Sequence, residues 1–215
     1  MRGQCLSIHR RSQKHSIGIV AGIATPIVAF ASILTAIASY PQFSWTNNAL
    51  SDLGVVAGVT GPLFNFGLIA AGVLGFIFAS LGLFIYFGKS QIGKIGSAVF
   101  AAATIALICI GIFNENYSPT HYIVSVAFFV LAPIALFILT GAFYRNYQHN
   151  VAVFTVTVGI TAAIPWILEF TISYVPNVAI PETISGLAVS IWAIVLARIM
   201  LMPQQRVKTD KDSIS

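Results

Sequence analysis

Charged residues are scarce in this chain of 215 residues. Only 8% are Asp, Glu, Lys or Arg and 57% are hydrophobic, whereas soluble domains carry about 25% charged residues. The mean hydropathy of +0.89 agrees with this shortage. These values exclude an ordinary soluble globule and leave little of the chain for a soluble domain.

Cysteine and histidine are scarce as well. Cys5 lies in the polar N-terminal segment and Cys109 in an apolar run, so a disulfide between them and a paired-cysteine metal motif are not expected. Three of the four histidines fall on the side predicted below to be cytoplasmic: His9, His15 and His149. With His121 alone on the other side, no haem held by two histidines across the bundle is expected.

Long apolar runs are what the sequence has in abundance. A helix needs about 20 apolar residues to cross the hydrocarbon core of a membrane. Six runs approach or exceed that length: 17–39, 62–87, 95–113, 122–143, 151–173 and 184–202. A transmembrane β-barrel would show short alternating segments instead. The sequence predicts an all-α polytopic integral membrane protein, with six transmembrane helices in one bundle (17–202) between a basic N-terminal tail (1–16) and a polar C-terminal tail (203–215).

Positive charge predicts the orientation of this bundle. All eleven Lys and Arg residues fall in the tails, at the end of span six, or in the connections after spans two and four. By the positive-inside rule both termini are cytoplasmic, and 40–61, 114–121 and 174–183 lie outside the cell membrane. Membrane lipids are therefore the expected partner of the basic residues, and no nucleic acid is expected.

Small residues recur at every fourth position of span two. Apolar burial does not drive helices together in lipid, so a stripe of small residues marks close helix packing. The stripe consists of Gly67, Ala71, Gly75 and Ala79. We interpret it first as packing within the bundle. The alternative is an oligomer that forms through this face.

The acids collect on the predicted outer side. Four of the six lie at or near that surface: Asp52, Glu115, Glu169 and Glu182. We interpret Glu182, like Asn116, as ordinary loop polarity or helix capping. Glu169 is different, because it lies inside span five, where an acid costs up to about 3 kcal/mol on insertion scales and should avoid lipid.

Glu169 lies one turn after Pro165, with Trp166 and Ser173 on the same helix face. We predict a functional role for it, the alternative being a structural hydrogen bond to another span. His121 begins span four, one turn before Ser125. A proton-transfer or single-metal-ligand role is open to this histidine, against the alternative of an interfacial hydrogen bond.

The first outer loop contains the sequence TNNALSDLG. It predicts a short helix at the membrane interface, with Asn47 or Asn48 as N-cap and Gly54 just after its end. Leu50 and Leu53 should face the bundle, and Ser51 and Asp52 should project beside them. Taken alone, this loop is interpreted as a cap on the bundle.

Three motifs carry a resemblance to a known family. NALSDLG (48–54), FNFGLI (64–69) and GIFNENYSPTHYIVSVAFF (111–129) resemble a family of six-span archaeal and bacterial membrane proteins known only as domain of unknown function number 998. That family is distantly similar to the Frag/DRAM/Sfk group, which includes proteins linked to lipid and GPI-anchor processing. The resemblance implies the positions Ser51, Asp52, Gly54, Asn65, Glu115, His121 and Ser125. Asn114 departs from the proline frequent there in the family, and no activity is implied.

Three functions remain open at this stage. The first is lipid binding or modification in an outward-facing pocket, with Asp52, Glu115, His121 and Glu169 as candidate catalytic residues. Candidate substrate-binding residues are Ser51, Asn65, Ser125 and Trp166. These acids and the histidine also suit a divalent cation, but neither a metal nor a cofactor is specified. The second is a small transporter or channel that uses Glu169, and the third is a non-catalytic membrane subunit or scaffold.

Overall fold

Six long helices make up most of the protein. The computed structural model describes the backbone of residues 2–202 and the side chains of residues 12–202. Spans one to six are Arg2–Ala38, Thr60–Phe87, Gln91–Ile112, Thr120–Arg145, His149–Ile172 and Ala179–Leu201. All six are long and apolar enough to cross a membrane, which confirms the predicted all-α, six-span architecture.

The helices differ most from the predicted limits at the starts of spans one, three and six, and by one or two residues at most of the other ends. Span one is helical from Arg2, so the backbone of the predicted N-terminal tail continues the helix. Span three begins at Gln91, where the Ser90 side chain accepts a hydrogen bond from the Gly93 amide. Span six begins at Ala179 rather than 184, a difference that matters for the site. The predicted tail 203–215 lies outside the described residues.

The spans pack in the order of the chain. Each contacts the next, and span six returns to span one, so the six form a ring of antiparallel neighbours. Segments 39–59, 113–119 and 173–178 meet at one end, with the four described acids; we call it the acidic end. The described Lys and Arg side chains lie toward the opposite, basic end. That the basic end is cytoplasmic stays a prediction from the charge pattern.

The small-residue stripe of span two is used inside the chain. Ala71 and Ala79 are buried, and Gly67 and Gly75 are buried as well. A Cβ on Gly67 would lie 2.0 Å from Ser32 Oγ of span one, and one on Gly75 would lie 2.8 Å from Thr104 of span three. The stripe therefore serves packing against spans one and three within the chain. The alternative of an oligomer stays a prediction.

Aromatic side chains fill the basic half of the bundle. Phe78, at the start of a π-helical segment in span two (Phe78–Leu83), packs edge-on against Phe100 and Trp192. Trp192 is completely buried, and its Nε1 donates to Thr155 Oγ1 at 3.1 Å. This half is a packed core, whereas open space lies at the acidic end.

Candidate functional site

A cavity of about 710 Å³ lies at the acidic end, between spans four, five and six and beneath the first loop. Seven of the eight predicted site residues line it: Ser51, Asp52, Glu115, His121, Ser125, Trp166 and Glu169. They come from the first loop, the 113–119 connection and two spans. Residues far apart in the sequence are thus brought to one concave surface, with a size typical of ligand sites.

Few side chains of spans four and five are buried near the acidic end, which leaves room for this cavity. In span five no residue after Pro165 is buried. In span four no residue between His121 and Ala132 is buried. The cavity lining includes Tyr122, Val130 and Phe170, which are exposed on the surface of the bundle. The cavity therefore opens sideways between spans four and five, toward the region that lipid would occupy.

The first loop closes the cavity from above with a short 3-10 helix, Ser51–Val55. The predicted cap was wrong. Leu50 occupies the N-cap position without a side-chain cap, and Gly54 lies inside the helix. The Asn48 side chain and the Ala49 amide instead donate to Asp52 Oδ2, at 2.8 and 3.0 Å. Asp52 thus organises its own loop, while Leu50 and Leu53 are buried as expected.

Glu182 ties this loop to span six, and sequence reasoning missed it. The Leu50 amide donates to Glu182 Oε2 at 2.5 Å, and the glutamate is only 8% exposed. The Ala179 amide donates to Asn48 O at 3.1 Å beside it. The sequence places the start of the apolar run at 184 and so predicts loop polarity or capping for Glu182, whereas the helix begins at Ala179 and Glu182 lies in its first turn. Its position next to Pro181 was the available signal.

Glu115, in the 113–119 connection, holds the first loop through Ser51. Ser51 Oγ donates to Glu115 Oε1 at 2.7 Å. Burial is the main cause that raises the pKa of Glu115 above its ordinary value of 4.5, and the Asp52 carboxylate raises it further. The Ser51 hydrogen bond and His121 act in the opposite direction. Glu115 therefore holds a proton more firmly in the folded protein than in the unfolded chain.

This pKa shift predicts a pH dependence of stability. Since the folded state binds the Glu115 proton more tightly, stability should fall as pH rises from about 4.5 through the raised pKa, and level off above it. Glu115→Gln should flatten this decline, because glutamine keeps an acceptor for Ser51 but does not ionise. The measurement is the midpoint of thermal unfolding in detergent against pH. An equal decline in the variant would show that Glu115 is not its cause.

His121 is buried and held at both ring nitrogens. Its Nδ1 lies 2.7 Å from Phe113 O, and a carbonyl only accepts, so this nitrogen carries the hydrogen. In the neutral ring Nε2 then keeps its lone pair, with Ser125 Oγ at 3.4 Å. Among the described residues, no three His, Cys, Asp or Glu side chains are grouped so that they could hold a metal ion. The hydrogen bond to Phe113 thus leaves Nε2 as the ring nitrogen that can accept a proton.

Asn65, the eighth predicted site residue, does not line the cavity. Its Nδ2 donates to Gly54 O at 2.8 Å. A Cβ on Gly54 would lie 2.5 Å from Asn65 Oδ1, so glycine lets the loop approach span two closely. Asn114 Nδ2 reaches the same Gly54 carbonyl at 3.4 Å. Asn65 and Asn114 hold the loop in place from outside the cavity.

An aromatic wall lies deeper in the cavity, on spans four and five. The rings of Phe129 and Trp166 are 4.4 Å apart at their centroids, and Trp166 and Phe170 are 6.1 Å apart. Two polar atoms beside this wall are buried without a hydrogen-bond partner: Trp166 Nε1 and Glu169 Oε2. Since buried polar atoms are normally paired, this donor and acceptor mark where a bound group would make contact.

These features define a multi-pass helical membrane protein with a cavity at one end of its bundle. The family model described as "Protein of unknown function (DUF998)" matches residues 23–199. The chain therefore belongs to this family, as its motifs predicted. No curated protein and no solved structure matches it. The more distant similarity to the Frag/DRAM/Sfk group stays a prediction.

Proposed function

We propose that the protein binds a membrane amphiphile in the cavity at the acidic end. The polar end of the amphiphile would lie inside the cavity, below Ser51, Asp52, Glu115 and His121 and beside Glu169. Its apolar part would continue along the apolar side chains of span four toward the opening. One observation carries the proposal. The polar side chains of Ser51 and Asp52 and the aromatic wall of Phe129, Trp166 and Phe170 line one cavity, which opens between spans four and five. On the predicted topology, the amphiphile would enter from the outer leaflet.

The two alternatives receive less support from the contacts. A transporter needs a polar path through the basic half, where Phe78, Phe100 and Trp192 pack against one another. A scaffold needs its polar residues to be satisfied by loop contacts. Asp52 and Glu182 fit that description, but Glu169 Oε2 and Trp166 Nε1 do not.

Chemical modification of the amphiphile is a second candidate, favoured by the arrangement around His121. The Phe113 carbonyl fixes the hydrogen on Nδ1, so Nε2 faces Ser125 and would act as a general base. In this case His121→Gln would abolish turnover while the amphiphile still binds. If the role of His121 is structural alone, the variant would instead lose stability and bound amphiphile together.

Native mass spectrometry tests the binding proposal. We expect protein purified from membranes in mild detergent to retain one amphiphile per chain. Phe170→Ala should lower its occupancy, because this side chain lines the cavity. Phe66→Ala is the matched control, since Phe66 is similarly exposed, at 70% against 65%, but lies on span two away from the cavity. Absence of a retained amphiphile, or equal loss in both variants, would contradict the proposal.

A further inference from the structure

We infer that the polar end of the bound amphiphile carries an ammonium group, which lies between the Glu169 carboxylate and the aromatic wall of Phe129, Trp166 and Phe170. This inference rests on the proposed function and specifies its ligand. It follows from three properties of the cavity: the sign of its charge, its unpaired acceptor and its aromatic lining.

The Asp, Glu, Lys and Arg residues that line the cavity are all acidic. Its lining includes all four acids that the structure describes, Asp52, Glu115, Glu169 and Glu182, and neither a Lys nor an Arg. The described Lys and Arg side chains lie toward the basic end. A headgroup whose exposed part is anionic would face carboxylates without a counter-charge. A cation would be attracted to the cavity, and more strongly there than in water, because a partly desolvated site screens charge less.

Glu169 is the acid that is available to such a cation. The other three already accept hydrogen bonds: Asp52 from Ala49, Glu115 from Ser51, and Glu182 from Leu50. Glu169 Oε2 is buried and has no partner. An ammonium group that approaches it would pair this oxygen and neutralise a carboxylate within a membrane span, where charge is costly.

The aromatic wall distinguishes an organic cation from a metal ion. Trp166 lies one turn before Glu169 on span five, and its ring packs between Phe129 and Phe170. Ammonium groups are stabilised beside aromatic rings, with tryptophan the most favourable, and carboxylate plus aromatic rings is a recognised way to hold choline-like groups. A metal ion would require grouped ligands, which the described residues do not offer. The alkyl part of the ligand would continue along Val126 and Val130 toward the opening.

A panel of single-chain amphiphiles tests the inference. The chain in nanodiscs of neutral lipid is titrated with dodecyltrimethylammonium, monolaurin or dodecyl sulfate, below micellar concentrations, with empty nanodiscs subtracted. Binding is followed by isothermal titration calorimetry, which does not depend on Trp166. We expect the ammonium compound to bind about tenfold more tightly than monolaurin, and dodecyl sulfate to bind more weakly than both. Tetramethylammonium, which has the headgroup without the chain, should compete only weakly.

Glu169→Gln supplies the decisive variant. It should remove the ammonium preference and keep monolaurin binding, which also shows that the variant is folded. Trp166→Leu should reduce the preference, and Trp166→Phe should restore part of it. If wild type binds all three headgroups equally, or prefers the sulfate, the inference is overturned while the proposed function stands. If it binds none of them, the proposed function fails too. Strong competition by tetramethylammonium would assign the site to a free amine rather than a lipid.

Discussion

Replacing Gly18 by alanine is expected to leave little correctly folded protein. A Cβ at this position would lie 2.2 Å from the backbone nitrogen of Gly82, so spans one and two would have to separate where their backbones touch. Overpacking of a well-packed core typically costs about 1–3 kcal/mol. Because backbone cannot move aside as a side chain does, we expect a loss at or above the upper limit of that range. The measurement is the monodisperse fraction in detergent and the midpoint of thermal unfolding.

Gly141→Ala is the matched control for this substitution. Gly141 is also a glycine within a membrane span, but a Cβ there would meet nothing nearer than 4.0 Å. The control should fold like wild type and gain slightly in stability, because alanine favours the helix over glycine. If Gly18→Ala folds as well as Gly141→Ala, the close contact between spans one and two is wrong.

Replacing Glu182 by alanine is expected to release the first loop from the bundle. The Leu50 amide would lose its acceptor while buried, at a cost of about 1–3 kcal/mol. Because the loss is local, hydrogen exchange at the Leu50 amide and proteolysis within 39–59 should accelerate by roughly 5- to 150-fold, while span five changes little. Release of the loop should also lower the amount of retained amphiphile, since Ser51 and Asp52 would leave the cavity.

Glu182→Gln separates the hydrogen bond from the charge. Glutamine keeps a side-chain oxygen that can accept from the Leu50 amide, so this variant should retain most of the protection of the loop. Equal exchange of the Leu50 amide in wild type and Glu182→Ala would contradict the role given to this glutamate.

The number and approximate limits of the spans could be predicted because lipid imposes a simple rule. A segment that crosses the membrane must be apolar over its whole length, so hydropathy marks it directly. The order of packing could not be predicted in the same way. That span six returns to span one depends on side-chain shape and not on hydropathy. At Gly186 of span six, for example, a Cβ would already lie 3.6 Å from the Phe30 ring of span one.

Residues that line the cavity could be predicted from the sequence where their residue type is rare near the membrane. Glu169 and His121 stand out because acids and histidines are rare near the membrane, and both line the cavity. The contacts of Glu182 and Asn65 could not be predicted, because a polar residue near a helix end can bind its own loop, another loop or a ligand. Only the neighbours in three dimensions distinguish these cases: Leu50 for Glu182 and Gly54 for Asn65.

Photolabelling tests the central claim most directly, that an amphiphile binds in the cavity at the acidic end. A dodecyl amphiphile with a diazirine near its polar end would be irradiated with the protein in nanodiscs, and the modified peptides identified by mass spectrometry. We expect labels within 121–130 and 166–173. They should be lost when unlabelled competitor is added, and they should be reduced in Phe170→Ala but not in Phe66→Ala. Labels spread evenly over all six spans, and unaffected by the competitor, would contradict it.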